Sequence, residues 1–325
     1  MMRAIIYSLP EQISETIRLV PEESFGRKKY DKVLICGMGG SGISGEILSA
    51  LYLELMIISN KDYNIPKFID SKTLAILVSY SGNTEETLSN FQQLLRRKTD
   101  TVVISSNGKL LKKKALRKIR VPGGLPPRGA LGYLFTPLPI IIHQVGLTKV
   151  DPRKNLISLS KFLVSERDGI EQMAKKMAVK FHDKLPVIYS DSAKFMPVAN
   201  RWRCQLNENA KVLAHFNVIP EMNHNEIVGL GRPAFLNKYI TIVFLNDPGA
   251  HPRNKLRRRL LKSLVSSEIS AINDVEPRGN DALQHIFWTI MLGDFISYYL
   301  AIEQGIDPMP VVRIEQLKKE MSKYK

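Results

Sequence analysis

The sequence predicts an α/β fold with two doubly wound, mostly parallel sheets. Two observations carry this expectation. First, short continuous apolar runs such as Lys32–Cys36 and Thr73–Val78 alternate with segments of helical spacing. Runs that are apolar on both faces belong to strands covered by helices on either side. Second, the alternation pauses at Asp151-Pro152 and restarts at Leu185, so the 325 residues divide into two α/β units, 1–150 and 151–325.

In the first unit, Lys32–Cys36 is a strand ending in a glycine cluster, and Ile43–Leu53 is a helix. Leu55–Ser59, Thr73–Val78 and Thr101–Ser105 follow as strands, with Glu85–Arg97 helical before the last. Leu110–Lys118 reads as a basic helix. Leu125–Gly132 breaks the pattern with Pro126-Pro127-Arg128-Gly129, and Leu131–Gln144 is expected to be a buried helix. Lys154–Lys180 is helical and mixed in charge. In the second unit, Leu185–Tyr189 is a strand, Pro197–Ala210 a helix and Val212–Asn217 a short irregular segment. His224–Gly229 is expected to begin another helix. Tyr239–Leu245 is a strand, Lys255–Ser267 a basic helix and Ala282–Gln304 a long apolar helix. The halves repeat in pattern, and no repeat of sequence is visible.

Composition narrows the function classes. A hydrophobic content of 44% allows full cores. The two cysteines, Cys36 and Cys204, form no C-x-x-C pair and no zinc spacing, which argues against a disulfide framework and a secreted life. Met1–Pro10 has too short an apolar run for a signal peptide. Ile286–Leu300 is interrupted by Asp294, and Leu131–Val145 contains two prolines and His143; both fall short of the roughly 18 apolar residues of a membrane span. A cytoplasmic location without membrane contact is expected. Lys and Arg exceed Asp and Glu by 16, concentrated in Lys109–Arg120, Arg253–Lys262 and Lys318–Lys325. These clusters carry no nucleic-acid motif and no aromatic ladder, so no nucleic-acid partner is expected. They read as solvated helix faces or as a field that steers an anionic substrate.

Two loops carry the chemistry. Gly37-Met38-Gly39-Gly40-Ser41-Gly42 follows a strand and opens a helix. Such a loop lets backbone N–H groups approach an anion at a helix N-terminus. Gly37, Gly39 and Gly42 also satisfy the dinucleotide pattern G-x-G-x-x-G, which needs an acid near the end of the second strand. Asp62 is the near candidate, behind Lys61. The second loop, Ser79-Tyr80-Ser81-Gly82-Asn83-Thr84-Glu85-Glu86, decides between these readings. Hydroxyls at Ser79, Ser81 and Thr84 around one glycine suit the three terminal oxygens of a phosphate monoester. A helix cap accounts for Thr84 and the glutamates but not for Ser79 and Ser81.

A glycine-serine loop after the first strand together with S-x-S-G-x-T-E after a later strand resembles the sugar-isomerase (SIS) domain. Pro126–Tyr133, Asn207–Lys211 and Pro220–Glu226 are similar, in that order, to segments of the bifunctional phosphoglucose/phosphomannose isomerases, best known from archaea. The resemblance implies two SIS domains and an aldose–ketose isomerase acting on phosphorylated hexoses in central carbohydrate metabolism. Gly39, Gly40, Ser41, Ser79, Ser81 and Thr84 would bind substrate, the hydroxyl loop holding its phosphate. Glu208 would be the base that moves the proton between C2 and C1, and burial would raise its basicity. His224 would open the sugar ring from the partner subunit of a homodimer with shared active sites. Arg128 would hold the enediolate oxygens, with the Gly40 N–H beside it. Lys318 would help ring opening, with Lys319 as the adjacent alternative. Some relatives carry a hydroxyl near the position of Val311, where this chain has none; the difference bears on sugar preference, not on reaction class.

Without the resemblance these residues have plainer readings. Glu208 and Lys211 are spaced as a surface ion pair. His224 is one of six histidines, marked out by the polar turn Asn223-His224-Asn225 before an expected helix. Lys318 would be a solvated C-terminal lysine. The sequence has no H-x-H and no H-E-x-x-H, so neither a metal nor another cofactor is expected. The rivals are a non-catalytic SIS regulator that senses phosphosugars and an NAD-dependent dehydrogenase. A regulator needs a DNA-binding element, and Met1–Tyr30 shows no helix-turn-helix.

Overall fold

A five-stranded and a four-stranded sheet, both parallel throughout, organise the computed structural model, which describes residues 1–25, 29–269 and 271–324. Lys325, the last residue of the expected second unit, lies outside the described residues. The first sheet contains β1 (Lys32–Cys36), β2 (Ile57–Asn60), β3 (Thr73–Val78), β4 (Asp100–Ser105) and β5 (Arg117–Arg120), in the order β2-β1-β3-β4-β5. The second contains β6 (Leu185–Ser190), β7 (His215–Val218), β8 (Ile240–Leu245) and β9 (Ala271–Val275), in the order β7-β6-β8-β9. In each sheet the strand order reverses between two central neighbours, β1 and β3 or β6 and β8. These are the switch points where doubly wound folds open a crevice.

The period-two side-chain rule divides the strands between cores. Val33 and Ile35 of β1, Leu74 and Ile76 of β3, and Val243 and Leu245 of β8 face one continuous apolar core. That core also takes in the helices Arg153–Ala178 and Ala282–Glu303. Leu34, Cys36, Ala75 and Leu77 face the other way, onto Phe91 and Leu94 of the Glu85–Arg96 helix. Val187, Tyr189, Ile242 and Phe244 likewise face Leu261 and Val265 of the Pro252–Val265 helix. The two units thus share their largest core. Phe135 of the first packs against Phe287 of the second, ring centroids 4.9 Å apart and planes tilted by 56°.

The sequence readings of β1 and β3 hold to the residue, and the other predicted strands to within one or two. The structure departs from the sequence reading at four other segments. Residues 110–118 are not a helix: only Gly108–Leu111 is helical, and Arg117–Arg120 is the edge strand β5. Its charges alternate outward while Ile119 is buried, which protects an open sheet edge. The irregular segment around 212–217 supplies β7, an edge strand of the second sheet, and the expected helix at His224–Gly229 is two short 3₁₀ turns, Glu221–His224 and Glu226–Val228. The buried helix at 131–144 is interrupted at Thr136, just before Pro137. The N-terminal helices Met2–Tyr7 and Leu9–Leu19 were not read from the sequence. They bury Ile5, Ile6, Leu9 and Ile13 in the fold. Ala282–Glu303 is long and apolar enough to cross a membrane by composition, but 78% of its apolar window is buried here.

One helix crossing positions the later site. Trp202, on the Met196–Gln205 helix, lies against Gly293 of Ala282–Glu303 and donates its indole N–H to Thr289 O at 2.9 Å. A methyl group at Gly293 would fall 2.2 Å from the Trp202 Nε1. Gly293→Ala is therefore expected to destabilise the protein by about 1–3 kcal/mol through overpacking, read as a lowered Tm. An unchanged Tm would mean that the helices do not approach this closely.

Candidate active site

The crevice at the β1/β3 switch point is formed by the two loops marked in the sequence. The glycine loop leads directly into the Gly39–Leu51 helix, so its first N–H groups have no intrahelical partner. Ser41 is buried behind it. A Cβ at Gly40 would stand 3.1 Å from Pro127 O and 3.4 Å from Arg128 Cα, so the loop packs directly on the Arg128 turn. At the tip of β2, Lys61 faces the glycine helix and pairs with Glu46 at 2.5 Å. Asp62 is exposed and its carbonyl accepts from Asn60 and Asn90. A cation therefore stands where the dinucleotide reading needs an acid.

The hydroxyl loop follows β3. Ser79 Oγ and Thr84 Oγ1 lie 2.8 Å apart, Ser79 Oγ accepts from Gly82 N at 3.1 Å, and the exposed Ser81 Oγ accepts from Asn83 N at 3.3 Å. Thr84 occupies the N-cap of Glu85–Arg96 but makes no side-chain cap bond. Its hydroxyl turns to Ser79 instead, so capping does not explain it. Gly82 has φ +65°, and a Cβ there would lie 1.8 Å from Asn107 O, so only glycine fits. Tyr80 points inward: its hydroxyl donates to Pro122 O at 2.8 Å and accepts from Leu125 N at 3.1 Å. It ties this loop to the segment that leads to Arg128.

Arg128 sits on the 3₁₀ turn Pro127–Gly129 and is 5% exposed. Gln12 braces the turn, donating to Gly129 O at 2.9 Å and accepting from Gly132 N at 3.2 Å. The guanidinium donates from Nε to Asn209 Oδ1 at 2.7 Å, and from NH2 to Pro308 O at 2.7 Å and Met309 O at 2.8 Å. NH1 faces Glu208 Oε2 at 3.8 Å. Burial pulls the Arg128 guanidinium below its ordinary pKa, and the Glu208 carboxylate opposes that shift.

Glu208 comes from a π-helical turn, Leu206–Ala210, that continues the Met196–Gln205 helix and ends at Lys211 with φ +60°. Such turns are rare and concentrate at functional sites. The sequence expectation of a buried carboxylate is met only in part, because the Glu208 side chain is 27% exposed. The surface ion pair with Lys211 does not form: Lys211 Nζ donates to the backbone carbonyl of Glu208. The carboxylate is left facing Arg128.

His224 and Lys318 are not joined to this pair. His224 ends an exposed 3₁₀ turn. Glu226, two residues on, anchors the segment by accepting from Tyr189 Oη at 2.6 Å and bonding His215 Nε2 at 3.0 Å. Lys318 and Lys319 both lie exposed on the Val312–Met321 helix, which buries none of its residues. No hydrogen bond or ion pair among the described residues links any of the three to Glu208 or Arg128. The second sheet's crevice differs in chemistry. There Asp247 Oδ2 accepts from Ser192 Oγ at 2.7 Å, and Asp191 accepts from Asp247 N at 2.8 Å and Arg258 at 3.0 Å. Two carboxylates therefore stand there in place of the glycines and hydroxyls of the first crevice. Among the described residues no group of three or more His, Cys, Asp or Glu side chains gathers as metal ligands.

The sequence reading missed Tyr80, Gln12 and Asn209. Tyr80 lies between two singled-out serines and Asn209 beside Glu208, so adjacency was the only signal. Gln12 lies more than a hundred residues from its partners and gave none.

Comparison with known proteins gives the family and the fold. Residues 170–321 match the family model "Bacterial phospho-glucose isomerase C-terminal SIS domain". The chain is 39% identical to a bifunctional phosphoglucose/phosphomannose isomerase of Caldicellulosiruptor bescii, over 98% of both chains. It is 37% identical to the Thermoplasma volcanium protein of the same name, over 93% of this chain and 95% of that one. Among solved structures, the C-terminal domain of a glucosamine-fructose-6-phosphate aminotransferase from Francisella tularensis has the same fold. Its TM-score is 0.74 at 16% identity, covering 94% of this chain and 96% of that one.

The hydroxyl loop yields a direct test. Ser81→Ala is expected to weaken binding of a hexose 6-phosphate by about tenfold, the scale of one hydrogen bond to a charged group. Any stability loss is expected to stay within about 1 kcal/mol. Unchanged binding with a lowered Tm would make the loop a structural turn.

Proposed function

The chain belongs to the bifunctional phosphoglucose/phosphomannose isomerases, and from that premise we propose how it interconverts glucose 6-phosphate and mannose 6-phosphate with fructose 6-phosphate. The observation that carries the proposal is the Glu208 carboxylate facing a buried Arg128 guanidinium at 3.8 Å, next to the turn on which the glycine loop packs. A base next to a fixed cation is what proton transfer through an enediolate needs.

In this reading the hydroxyls of Ser79, Ser81 and Thr84 hold the phosphate. Gly39, Gly40 and Ser41 line the sugar. His224 and Lys318 open the ring by moving a proton between the ring oxygen and the C1 hydroxyl. Glu208 then takes the proton from C2, and its electron pair forms the C1–C2 double bond as the C1 oxygen gains negative charge. The same carboxylic acid returns the proton to C1, and the C2 hydroxyl proton passes to the C1 oxygen. Arg128 and the Gly40 N–H stabilise the charged oxygens in between. Glucose and mannose 6-phosphates differ only at C2, so both give one enediol. One base serves both if the bound chain rotates about C2–C3.

We further propose a homodimer with shared sites, working in the cytoplasm. Two features support it. His224 is exposed and unconnected to Glu208 within its own chain. Ile314, Leu317 and Met321 form one exposed apolar stripe on the C-terminal helix, at 41%, 61% and 42% exposure, the pattern of a face awaiting a cover. Two-fold dimers are the commonest closed assembly.

Glu208→Gln keeps shape and removes the proton acceptor. Isomerisation of both sugars is expected to fall by about 10²–10⁴-fold, with binding of a hexitol 6-phosphate nearly unchanged. A loss below tenfold would exclude Glu208 as the base.

A second test addresses the assembly. Homodimers of Glu208→Gln and of His224→Ala are each expected to be impaired. After subunit exchange, about half of all dimers are mixed, and one site of each mixed dimer joins intact Glu208 to intact His224. Roughly a quarter of wild-type activity should return, by this two-fold counting. No recovery, with exchange verified by mass, would place His224 within its own chain or outside the mechanism.

A further inference from the structure

Two buried arginines lie side by side, and they are treated differently. Arg201, 3% exposed, is paired with the Asp294 carboxylate at 3.0 and 2.6 Å. It also donates to the backbone carbonyl of Arg128 at 2.9 Å. Arg128 is as deeply buried, yet every hydrogen-bond acceptor it has among the described residues is neutral. These are the Asn209 amide oxygen and the carbonyls of Pro308 and Met309. A carboxylate acceptor satisfies a guanidinium and cancels its charge; a neutral acceptor does only the first.

We propose that Asn209 is a positioning residue for the isomerisation: its neutral amide fixes the plane of Arg128 while leaving the guanidinium charge for the developing enediolate. The orientation of the amide follows from its other end. Ser297 Oγ donates its proton to Asp294 O at 2.7 Å, so it offers only a lone pair to Asn209. Asn209 Nδ2 fills that need at 2.9 Å. The amide oxygen must then face Arg128 Nε. With Nε and both N–H groups of NH2 committed, NH1 alone remains, and it points towards Glu208. Asn209 is fully buried and follows Glu208 in the same π-helical turn, so one backbone feature sets both the base and the cation.

The inference rests on Arg128 meeting the enediolate, and Asn209→Asp tests it. The change is isosteric and keeps an acceptor for Nε, but sets a negative charge against the guanidinium. The readouts are kcat, KM, and the affinities of two inhibitors that share the phosphate. One is a hexitol 6-phosphate, which has no charge at the reacting carbons; the other is a phosphorylated aldonohydroxamate, which mimics the enediolate. The expected result is a fall of about tenfold or more in kcat and in hydroxamate affinity, with KM and hexitol phosphate affinity within about threefold. A parallel change in all four, or no change, would overturn the inference, because a merely structural asparagine cannot separate the two inhibitors. If Asn209→Asp does not fold, Ser297→Ala releases the amide to rotate. The same split is then expected at about three- to tenfold, and its absence overturns the inference equally. Wild-type protein that fails to prefer the hydroxamate would defeat the reading of Arg128 and the inference with it. Wild-type preference retained in the variant defeats the inference alone.

Discussion

The buried guanidinium of Arg128 is the constraint on which the site depends. A cation removed from water must have its N–H groups satisfied, or the fold pays several kcal/mol. The acceptors come from distant parts of the chain: Asn209 in the second α/β unit, and Pro308 and Met309 near the C-terminus. The Arg128 turn itself is braced by Gln12 from the N-terminal helix. This arrangement around Arg128 therefore exists only when segments near both ends of the chain and the Leu206–Ala210 turn are in place. The continuous core running from Met2 to Ala301 expresses the same dependence in apolar contacts.

Two sheets of one architecture do not make two sites. Both switch points open crevices, but different residue types line them. After β1 and β3 the chain supplies glycines and hydroxyls, which present donors to an anion. After β6 and β8 it supplies Asp191 and Asp247, which bond to Ser192, Arg258 and a backbone N–H. Those carboxylates repel a phosphate and meet the local donors themselves. The second unit contributes instead through the π-helical turn that extends the Met196–Gln205 helix towards Arg128. Its sheet acts as a platform for that helix.

The legible part of the fold was the buried part. Strands covered on both faces, such as Thr73–Val78, have continuous apolar runs, and desolvation of both faces leaves no other composition open to them. The edge strands β5, β7 and β9 were missed because one side of each is open to water and polar residues break their apolar runs, whereas the edge strand β2 kept a readable run. Arg117-Lys118-Ile119-Arg120 carries strand geometry with the charge of a surface helix. The two loops were legible because their backbone demands are local: a positive φ at Gly82 and a close approach at Gly40 both require glycine. Glu208, Arg128 and His224 stood out chiefly through the family resemblance. Asn209 has no local signature, since its role consists of contacts to residues 81 and 88 positions away.

The separation of Arg128 and Glu208 completes the logic of the site. At 3.8 Å the pair is too far apart for a charge-assisted hydrogen bond, which needs about 2.7–2.9 Å. A guanidinium hydrogen-bonded to the carboxylate would hold it ionised and would spend its own donors. The neutral acceptors on Nε and NH2 prevent that collapse by fixing Arg128 from behind. The Lys211 ammonium bonds the Glu208 carbonyl and not its carboxylate, so it does not close the gap from the other side. NH1 and the carboxylate thus stand side by side without a hydrogen bond between them, which suits the proposed roles of NH1 on a substrate oxygen and Glu208 beside the adjoining carbon. Only this long contact joins the two charges, so they are held in position without a hydrogen bond that a substrate would have to displace.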